Sequence, residues 1–187
     1  ENFCDFKGNN LKIETINKNN SNIRFITLSR LVKWKNIDKL IIAANSVRNI
    51  EVHILGTGPE EKNLKYLAKE SKNIIFHGLL ERMNSLAILK ECDCFIQISS
   101  YEGMSFSIIE SLYLEKPMIL SSIEPNFETA KTAALYINHN SIRELKAALE
   151  LMKEKAFRNN LSNNAKLISS KFYDMNSSLD EYIKLLT

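Results

Sequence analysis

Two glutamates with seven residues between them, Glu102 and Glu110, are the side chains of this sequence best placed to do chemistry. Glu102 follows an apolar run that ends in Ser99-Ser100, and Glu110 falls in the helical pattern that comes next. This order is typical of a strand, a loop and a helix, and ligands of open α/β sheets bind at the carboxyl ends of the strands. Two carboxylates at that edge can accept charge-assisted hydrogen bonds from the hydroxyl groups of a ribose or a sugar.

A purely structural role for Glu110 fits the same residues. Ser107 and Glu110 have the spacing of a capping box, in which the glutamate satisfies a backbone N–H group at the start of a helix. Glu110 would then stabilise the helix and contact no ligand. The sequence around these residues leaves both interpretations open.

A cluster of cations follows an earlier strand pattern, Ile23–Leu28. Arg30, Lys33 and Lys35 are three cations within six residues, and a helical pattern begins soon after them at Ile37. Helix N-termini and neighbouring cations attract phosphate oxygens, so this turn is a candidate phosphate site. The alternative is a solvated basic turn that binds nothing.

The Glu-x7-Glu spacing, with Pro117 seven residues past Glu110, resembles the signature of the retaining group 1 glycosyltransferases of the GT-B fold. The resemblance implies a hexosyltransferase that moves a sugar from a nucleotide-diphosphate sugar to an acceptor, with retention at the anomeric carbon. It implies that Glu110 binds the ribose hydroxyl groups and that Glu102 is a catalytic residue that positions the donor sugar. The backbone N–H groups available to sugar or phosphate would be those of Gly103, Met104, Ser105 and Phe106.

The cationic turn adds to this resemblance. Group 1 enzymes have a Gly-Arg-Leu…Lys-Gly turn after the first strand of their C-terminal domain, and Arg30 and Lys35 match its two cations in type and spacing. The resemblance implies that both bind the diphosphate and stabilise the charge that collects there as the C–O bond breaks. This would replace a divalent metal, so we expect neither a metal nor another cofactor. The flanking glycines are replaced by Ser29 and Asn36, and asparagine tolerates left-handed backbone geometry.

Two further strand patterns end in glycine. The first, Glu51–Leu55, continues into a Gly-x-Gly-Pro segment that begins at Gly56 and resembles the one after the second strand of the family. Gly56 and Gly58 are therefore expected beside the nucleotide. The second, residues 73–78, precedes Leu79 and Leu80, whose backbone groups are expected at the nucleotide base.

The strand and helix patterns alternate about six times, which favours an α/β fold: a three-layer Rossmann-like sandwich around a parallel sheet of about six strands. We assign residues 1–22 to a linker or edge segment, residues 23–170 to a nucleotide-sugar-binding domain and residues 171–187 to a C-terminal helix. The resemblance implies that this is the C-terminal half of a GT-B enzyme without its N-terminal acceptor-binding domain. We expect such a half to bind the donor without efficient transfer.

Composition excludes several classes of protein. A net charge of +3 without blocks of like charge gives no support for nucleic-acid binding, and no apolar run is long enough to cross a membrane. The three cysteines, Cys4, Cys92 and Cys94, lack metal-ligand companions, which suits a reducing, cytoplasmic setting. His77 stands at a strand end without a visible partner, so we expect a structural or solvent-exposed side chain.

Three rival functions remain open, and all three concern nucleotides. A nucleotide-sugar epimerase of the same fold would form product from the donor alone, without an acceptor. A non-catalytic Rossmann-like module would keep its nucleotide affinity when Glu102 and Glu110 are neutralised. An NAD-dependent oxidoreductase is disfavoured because the full Gly-x-Gly-x-x-Gly fingerprint is absent. The family also suggests polysaccharide biosynthesis and attachment to the inner face of the membrane, for which no residue here gives evidence.

Overall fold

The computed structural model describes residues 22–172 of the 187-residue chain. Most of the predicted N-terminal linker and the C-terminal helix beyond residue 172 lie outside the described residues. Within them the chain alternates between strands and helices. The six strands are β1 Ile23–Leu28, β2 Ile50–Leu55, β3 Ile74–Gly78, β4 Cys94–Gln97, β5 Met118–Ser121 and β6 Ala134–Ile137. The seven helices of this part of the chain are α1 Ile37–Ala44, α2 Glu61–Leu67, α3 Arg82–Glu91, α4 Phe106–Tyr113, α5 Glu124–Ala130, α6 Ile142–Leu151 and α7 Lys155–Phe172.

All six strands are parallel and form one sheet in the order β3-β2-β1-β4-β5-β6. The order reverses between β1 and β4, so the loops after these two strands leave the sheet in opposite directions. In doubly wound sheets the ligand crevice lies at this point. The predicted α/β Rossmann-like fold with a parallel sheet of about six strands is confirmed.

Alternate side chains of each strand pack into two separate hydrophobic cores, one on each face of the sheet. Phe25 and Ile96 pack with helices α1, α2 and α6, whereas Ile26 and Phe95 pack on the opposite face with α3, α4 and α5. Each of these four side chains is fully buried. The helices therefore cover both faces, and the carboxyl edge of the sheet is left for the loops.

The buried cysteines, the end of α7 and the hydropathy of the helices complete the description of the fold. Cys92, at the end of α3, and Cys94, the first residue of β4, are buried free thiols, and burial raises the pKa of Cys92 to about 12. Helix α7 continues through Phe172, past residue 170 where the domain was expected to end. No helix within residues 22–172 combines the length and hydropathy that a membrane crossing requires.

Candidate functional site

The backbone turns after β1 and β2 pack so closely that side chains are excluded between them. A Cβ atom on Gly56 would lie 2.0 Å from the carbonyl oxygen of Ser29, and one on Gly58 would lie 2.3 Å from that of Leu31. Leu31 N also donates a hydrogen bond of 2.9 Å to the carbonyl of Thr57. We call residues 29–31 and 56–58 the strand-exit cradle. Its two glycines are required by this backbone contact, whatever ligand is bound.

A cavity of about 450 Å³ opens beside the strand-exit cradle. Five of the residues predicted to bind nucleotide or phosphate meet here, and Ser85 of α3 adds to the wall. Those five are Arg30, Gly56, Gly58, Leu79 and Leu80. The structure therefore brings them together although they come from three different strand exits, and their roles stay predictions.

The cationic turn is held in shape by Asn36. Its backbone adopts a left-handed conformation with φ of 53°, the geometry that the family's glycine would take and that asparagine tolerates. Its side-chain amide donates to the carbonyl oxygens of Ile98, at 2.8 Å, and Trp34, at 3.3 Å. The replacement of glycine by asparagine thus preserves the turn and ties it to the end of β4.

Lys35 and Glu102, both predicted catalytic residues, form an ion pair with each other. Their side chains are only 15% and 11% exposed, so the pair lies largely out of bulk water. A backbone hydrogen bond of 2.8 Å from Ser100 N to the Trp34 carbonyl runs alongside it. The cationic turn and the loop after β4 are therefore joined by both side-chain and backbone contacts.

We call residues 99–110 the carboxylate loop, which includes the start of α4. Helix α4 begins at Phe106, with Ser105 at its N-cap, and no side chain caps its first N–H groups. The proposed capping box of Ser107 and Glu110 is therefore wrong, because Ser107 already lies inside the helix. The hydroxyl groups of Ser105 and Ser107 both donate instead to the side-chain oxygen of Gln97, at 2.9 and 3.0 Å.

Two large apolar residues of the carboxylate loop point outward. Met104 is 74% exposed and Phe106 is 67% exposed. A Cβ atom on Gly103 would meet nothing within 4 Å. The first N–H groups of a helix have no partner inside it, so those at the start of α4 are open to an anionic ligand.

Glu110 lies on α4 and pairs with Arg82, the first residue of α3. Two nitrogens of the guanidinium, Nε and Nη2, contact the same carboxylate oxygen, Oε1, at 3.1 and 3.0 Å. The Glu110 side chain is 11% exposed, and this burial raises the pKa of its carboxyl group, which the charge and hydrogen bond of Arg82 partly offset. Arg82 belongs to no motif, and sequence analysis missed it.

His77, expected to be structural or solvent-exposed, has a partner that sequence analysis did not find. Its Nε2 lies 2.8 Å from Nδ1 of His53, whose own Nε2 lies 2.7 Å from the Glu51 carboxylate. A register shift between β2 and β3 places His77 opposite no residue of β2. Burial is the main cause that lowers the pKa of both histidines, so the pair is poorly suited to carry charge. Its role is structural.

Among residues 22–172 no three histidine, cysteine, aspartate or glutamate side chains lie close enough to hold a metal ion. The expectation that this site works without a metal stays a prediction. The chemistry available here consists of cations, two carboxylates and uncapped N–H groups at one edge of the sheet. Such a set can bind a ligand that combines phosphate with hydroxyl groups.

Solved structures with the same fold include several proteins that bind uridine nucleotides. A variant of TarM from S. aureus, solved with fondaparinux, α-GlcNAc-glycerol and UDP, has a TM-score of 0.77 at 19% identity, over 94% of this chain and 38% of its own. HepE of Anabaena, solved with UDP-glucose, has a TM-score of 0.77 at 18% identity, over 88% of this chain and 48% of its own. WaaG, a glycosyltransferase involved in lipopolysaccharide biosynthesis, has a TM-score of 0.71 at 15% identity, over 81% of this chain and 43% of its own.

These likenesses establish the fold, and this chain spans less than half the length of each of the three proteins. No curated protein matches the chain in sequence. A family model does: the model for glycosyl transferases group 1 matches residues 9–168, which is most of the chain. This chain belongs to the group 1 glycosyl transferases.

Proposed function

We propose that this domain is the donor-binding half of a retaining glycosyltransferase that uses a nucleotide-diphosphate sugar. The observation that carries the proposal is that cations and carboxylates follow β1 and β4 at the carboxyl edge of one sheet. Arg30 lines a cavity of about 450 Å³, Lys35 pairs with Glu102, and Glu110 of α4 pairs with Arg82. HepE was solved with UDP-glucose and the pneumococcal transferase GtfA with UDP and GlcNAc, which supports a uridine nucleotide as the first ligand to test.

The diphosphate would lie between Arg30, which is exposed in the cavity wall, and the ammonium group of Lys35. An ammonium group has three N–H donors, so Lys35 can keep its bond to Glu102 and still donate to a phosphate oxygen. When the bond between the anomeric carbon and the diphosphate oxygen breaks, the electron pair stays on that oxygen. Arg30, Lys35 and the uncapped N–H groups of α4 would stabilise this charge. No divalent metal is needed for that step.

Glu102 and Glu110 would bind different parts of the donor. Glu102 is fixed by Lys35 beside the expected diphosphate and would orient the sugar. Glu110 is held by Arg82, the first residue of the helix that follows Leu79 and Leu80. Because these two residues are expected at the base, the Glu110 carboxylate would accept hydrogen bonds from the adjoining ribose. The two carboxylates therefore differ from a glycosidase pair, in which both groups flank the scissile bond.

A second domain would complete the site. Tyr101, Met104 and Phe106 of the carboxylate loop, and Trp34 of the cationic turn bonded to it, are each at least 49% exposed. They form an unusual concentration of apolar surface at one edge. This chain covers only 38 to 48% of three proteins with the same fold, which leaves room for another domain. We propose that an N-terminal acceptor-binding domain covers this surface, and that this half alone binds the donor without efficient transfer.

Calorimetric titration with UDP, GDP and ADP in the absence of metal tests the proposal. We expect one nucleotide to bind selectively, and the Arg30→Ala variant to bind it about tenfold more weakly. Arg143→Ala, which removes the same side chain from an exposed site on α6, is the control and should bind like the wild type. If none of the three nucleotides binds either this chain or a longer chain that includes the second domain, the assignment is contradicted.

A further experiment separates the proposed enzyme from its rivals. Glu102→Gln and Glu110→Gln should weaken binding of the nucleotide sugar, whereas a module with no use for these carboxylates would bind it unchanged. With the second domain present, the donor should yield a transferred product only when an acceptor is added. Conversion of the donor sugar in the absence of any acceptor would favour the epimerase instead.

A further inference from the structure

Arg82 lies in the segment between two cavity-lining residues, Leu80 and Ser85, and its side chain contacts the carboxylate loop. It is the first residue of α3, two residues after Leu80 and three before Ser85, which both line the cavity. From there its side chain reaches Glu110 on α4, 28 positions further along the chain. The ion pair therefore connects the expected base-binding segment with the carboxylate expected at the ribose.

The geometry of this pair is one-sided. Both contacts from the guanidinium end on Oε1 of Glu110, at 3.0 and 3.1 Å, and no hydrogen bond to Oε2 accompanies them within residues 22–172. A carboxylate held by one oxygen has a fixed orientation, while its second oxygen can still accept from a ligand. Arg82 is 57% exposed and Glu110 is 11% exposed, so the cation covers a carboxylate that is otherwise largely buried.

The charge of Arg82 acts in the same direction as its geometry. Burial favours the protonated form of Glu110, and Arg82 opposes this through both its charge and its hydrogen bond. A protonated carboxyl group has a proton on one oxygen and is a weaker acceptor for hydroxyl groups. Helices α5 and α7 also pack against α4, but the shift in the pKa of Glu110 comes from burial and Arg82 and from none of their charged side chains, which include Glu124, Glu128, Arg158 and Lys166.

We infer that Arg82 is a positioning residue of the ribose subsite: it holds Glu110 by Oε1, so that Oε2 is presented to the ribose hydroxyl groups. The positive charge of Arg82 also favours the ionised form of that carboxylate. The inference rests on the proposed function for its ligand. It assigns to a residue outside every motif a part in the discrimination between nucleotides with and without a ribose diol.

The test compares UDP with 2′,3′-dideoxy-UDP on the wild type, Arg82→Ala and the control Arg143→Ala. We expect Arg82→Ala to bind UDP about five- to tenfold more weakly at pH 7.5, with little change for the dideoxy nucleotide. The loss for UDP should grow as the pH is lowered, because burial favours the protonated form of Glu110 and Arg82→Ala removes the charge that opposes it. Arg82→Ala in a Glu110→Gln background should have no additional effect, since the group that Arg82 positions is already altered.

Equal binding of UDP by the wild type and Arg82→Ala would overturn the inference, because Arg82 would then do nothing for the ribose. An equal loss for UDP and the dideoxy nucleotide would also overturn it, since Arg82 would then act on the diphosphate. If the wild type binds neither nucleotide, both as this chain and in a longer chain that includes the second domain, the proposed function fails and the ribose assignment fails with it.

A measurement without ligand keeps the role of Arg82 separable from the proposed function. The carboxyl carbon of Glu110 can be followed by NMR during a pH titration of the wild type and of Arg82→Ala. We expect its apparent pKa to be higher in Arg82→Ala and unchanged in Arg143→Ala. An unchanged pKa in Arg82→Ala would overturn the claim that Arg82 favours the ionised form of Glu110, whether or not UDP binds.

Discussion

The strand-exit cradle and the carboxylate loop lie at the same edge of the sheet and are built on opposite principles. In the cradle, Gly56 and Gly58 press against the backbone of the β1 turn at distances that leave no room for a methyl group. In the loop, Gly103 has open space around it, and the fixed groups are side chains that pair with cations. Backbone packing therefore requires glycine at positions 56 and 58 and does not require it at position 103.

This difference has a consequence for how the two regions respond to change. Substitutions in the strand-exit cradle should lower the free energy of unfolding, and ligand affinity should fall as a result. Substitutions in the carboxylate loop should leave the fold intact and lower only the ligand affinity. The predictions below measure the free energy of unfolding by denaturant titration, without any nucleotide.

The largest effect is expected for the glycines of the strand-exit cradle. Gly56→Ala and Gly58→Ala should each destabilise the domain by about 3 kcal/mol or more, because the new methyl group meets backbone atoms that cannot move aside. Gly103→Ala is the matched control and should change stability by less than about 0.5 kcal/mol. A Gly58→Ala variant as stable as Gly103→Ala would remove the contrast between the two regions.

An intermediate effect is expected at Asn36, which connects them. Asn36→Ala should lower the free energy of unfolding by about 2 to 3 kcal/mol. The Ile98 carbonyl loses its hydrogen-bond donor, and alanine, unlike asparagine, has no polar side chain to stabilise the left-handed backbone geometry. Asn36→Gly should cost about 1 kcal/mol, since it loses the hydrogen bond but relaxes the backbone. If both variants are equally unstable, the side-chain bond and not the backbone geometry determines the residue at this position.

The smallest effect on the free energy of unfolding is expected for substitution of Glu110, and it should stabilise the domain where the preceding substitutions destabilise it. Its pKa is raised in the folded state above the usual 4.5, so the stability that its carboxyl group contributes is complete below pH 4.5 and is lost as the pH rises through the folded pKa. At pH 7 the ionised group therefore opposes folding. Glu110→Gln should stabilise the domain slightly at pH 7, by under about 1 kcal/mol, and have no effect at pH 4. Destabilisation at pH 7 would mean that the ion pair with Arg82 outweighs burial.

The sequence was sufficient for the fold because the apolar runs of the strands are short, separated by helical patterns and often end in glycine. The first strand pattern, Ile23–Leu28, agrees with β1 at both ends, and the next two agree within one residue. Asn36 was also understood from sequence, because its left-handed backbone is a local property of the residue type. Local propensity and pattern carry this kind of information.

Contacts between distant residues could not be read in the same way. Arg82 reaches Glu110, Lys35 reaches Glu102, and His53 meets His77, across 24 to 67 positions of the chain. The capping-box alternative was wrong because α4 begins before Ser107. The hydroxyl groups of Ser105 and Ser107 donate to Gln97, a buried residue of β4. A polar residue inside an otherwise apolar strand was the one signal in the sequence that could have indicated this.

The reactivity of the two buried thiols next to and at the start of β4 can measure how often this part of the domain opens. Only the thiolate reacts with alkylating reagents, and both Cys92 and Cys94 are buried with pKa values raised by that burial. In a Cys4→Ser background, the rate of alkylation therefore follows the fraction of molecules in which the central strand has opened. Because β4 leads directly into the carboxylate loop, slowing of this reaction by a nucleotide would report how strongly occupancy of the site holds the centre of the sheet closed.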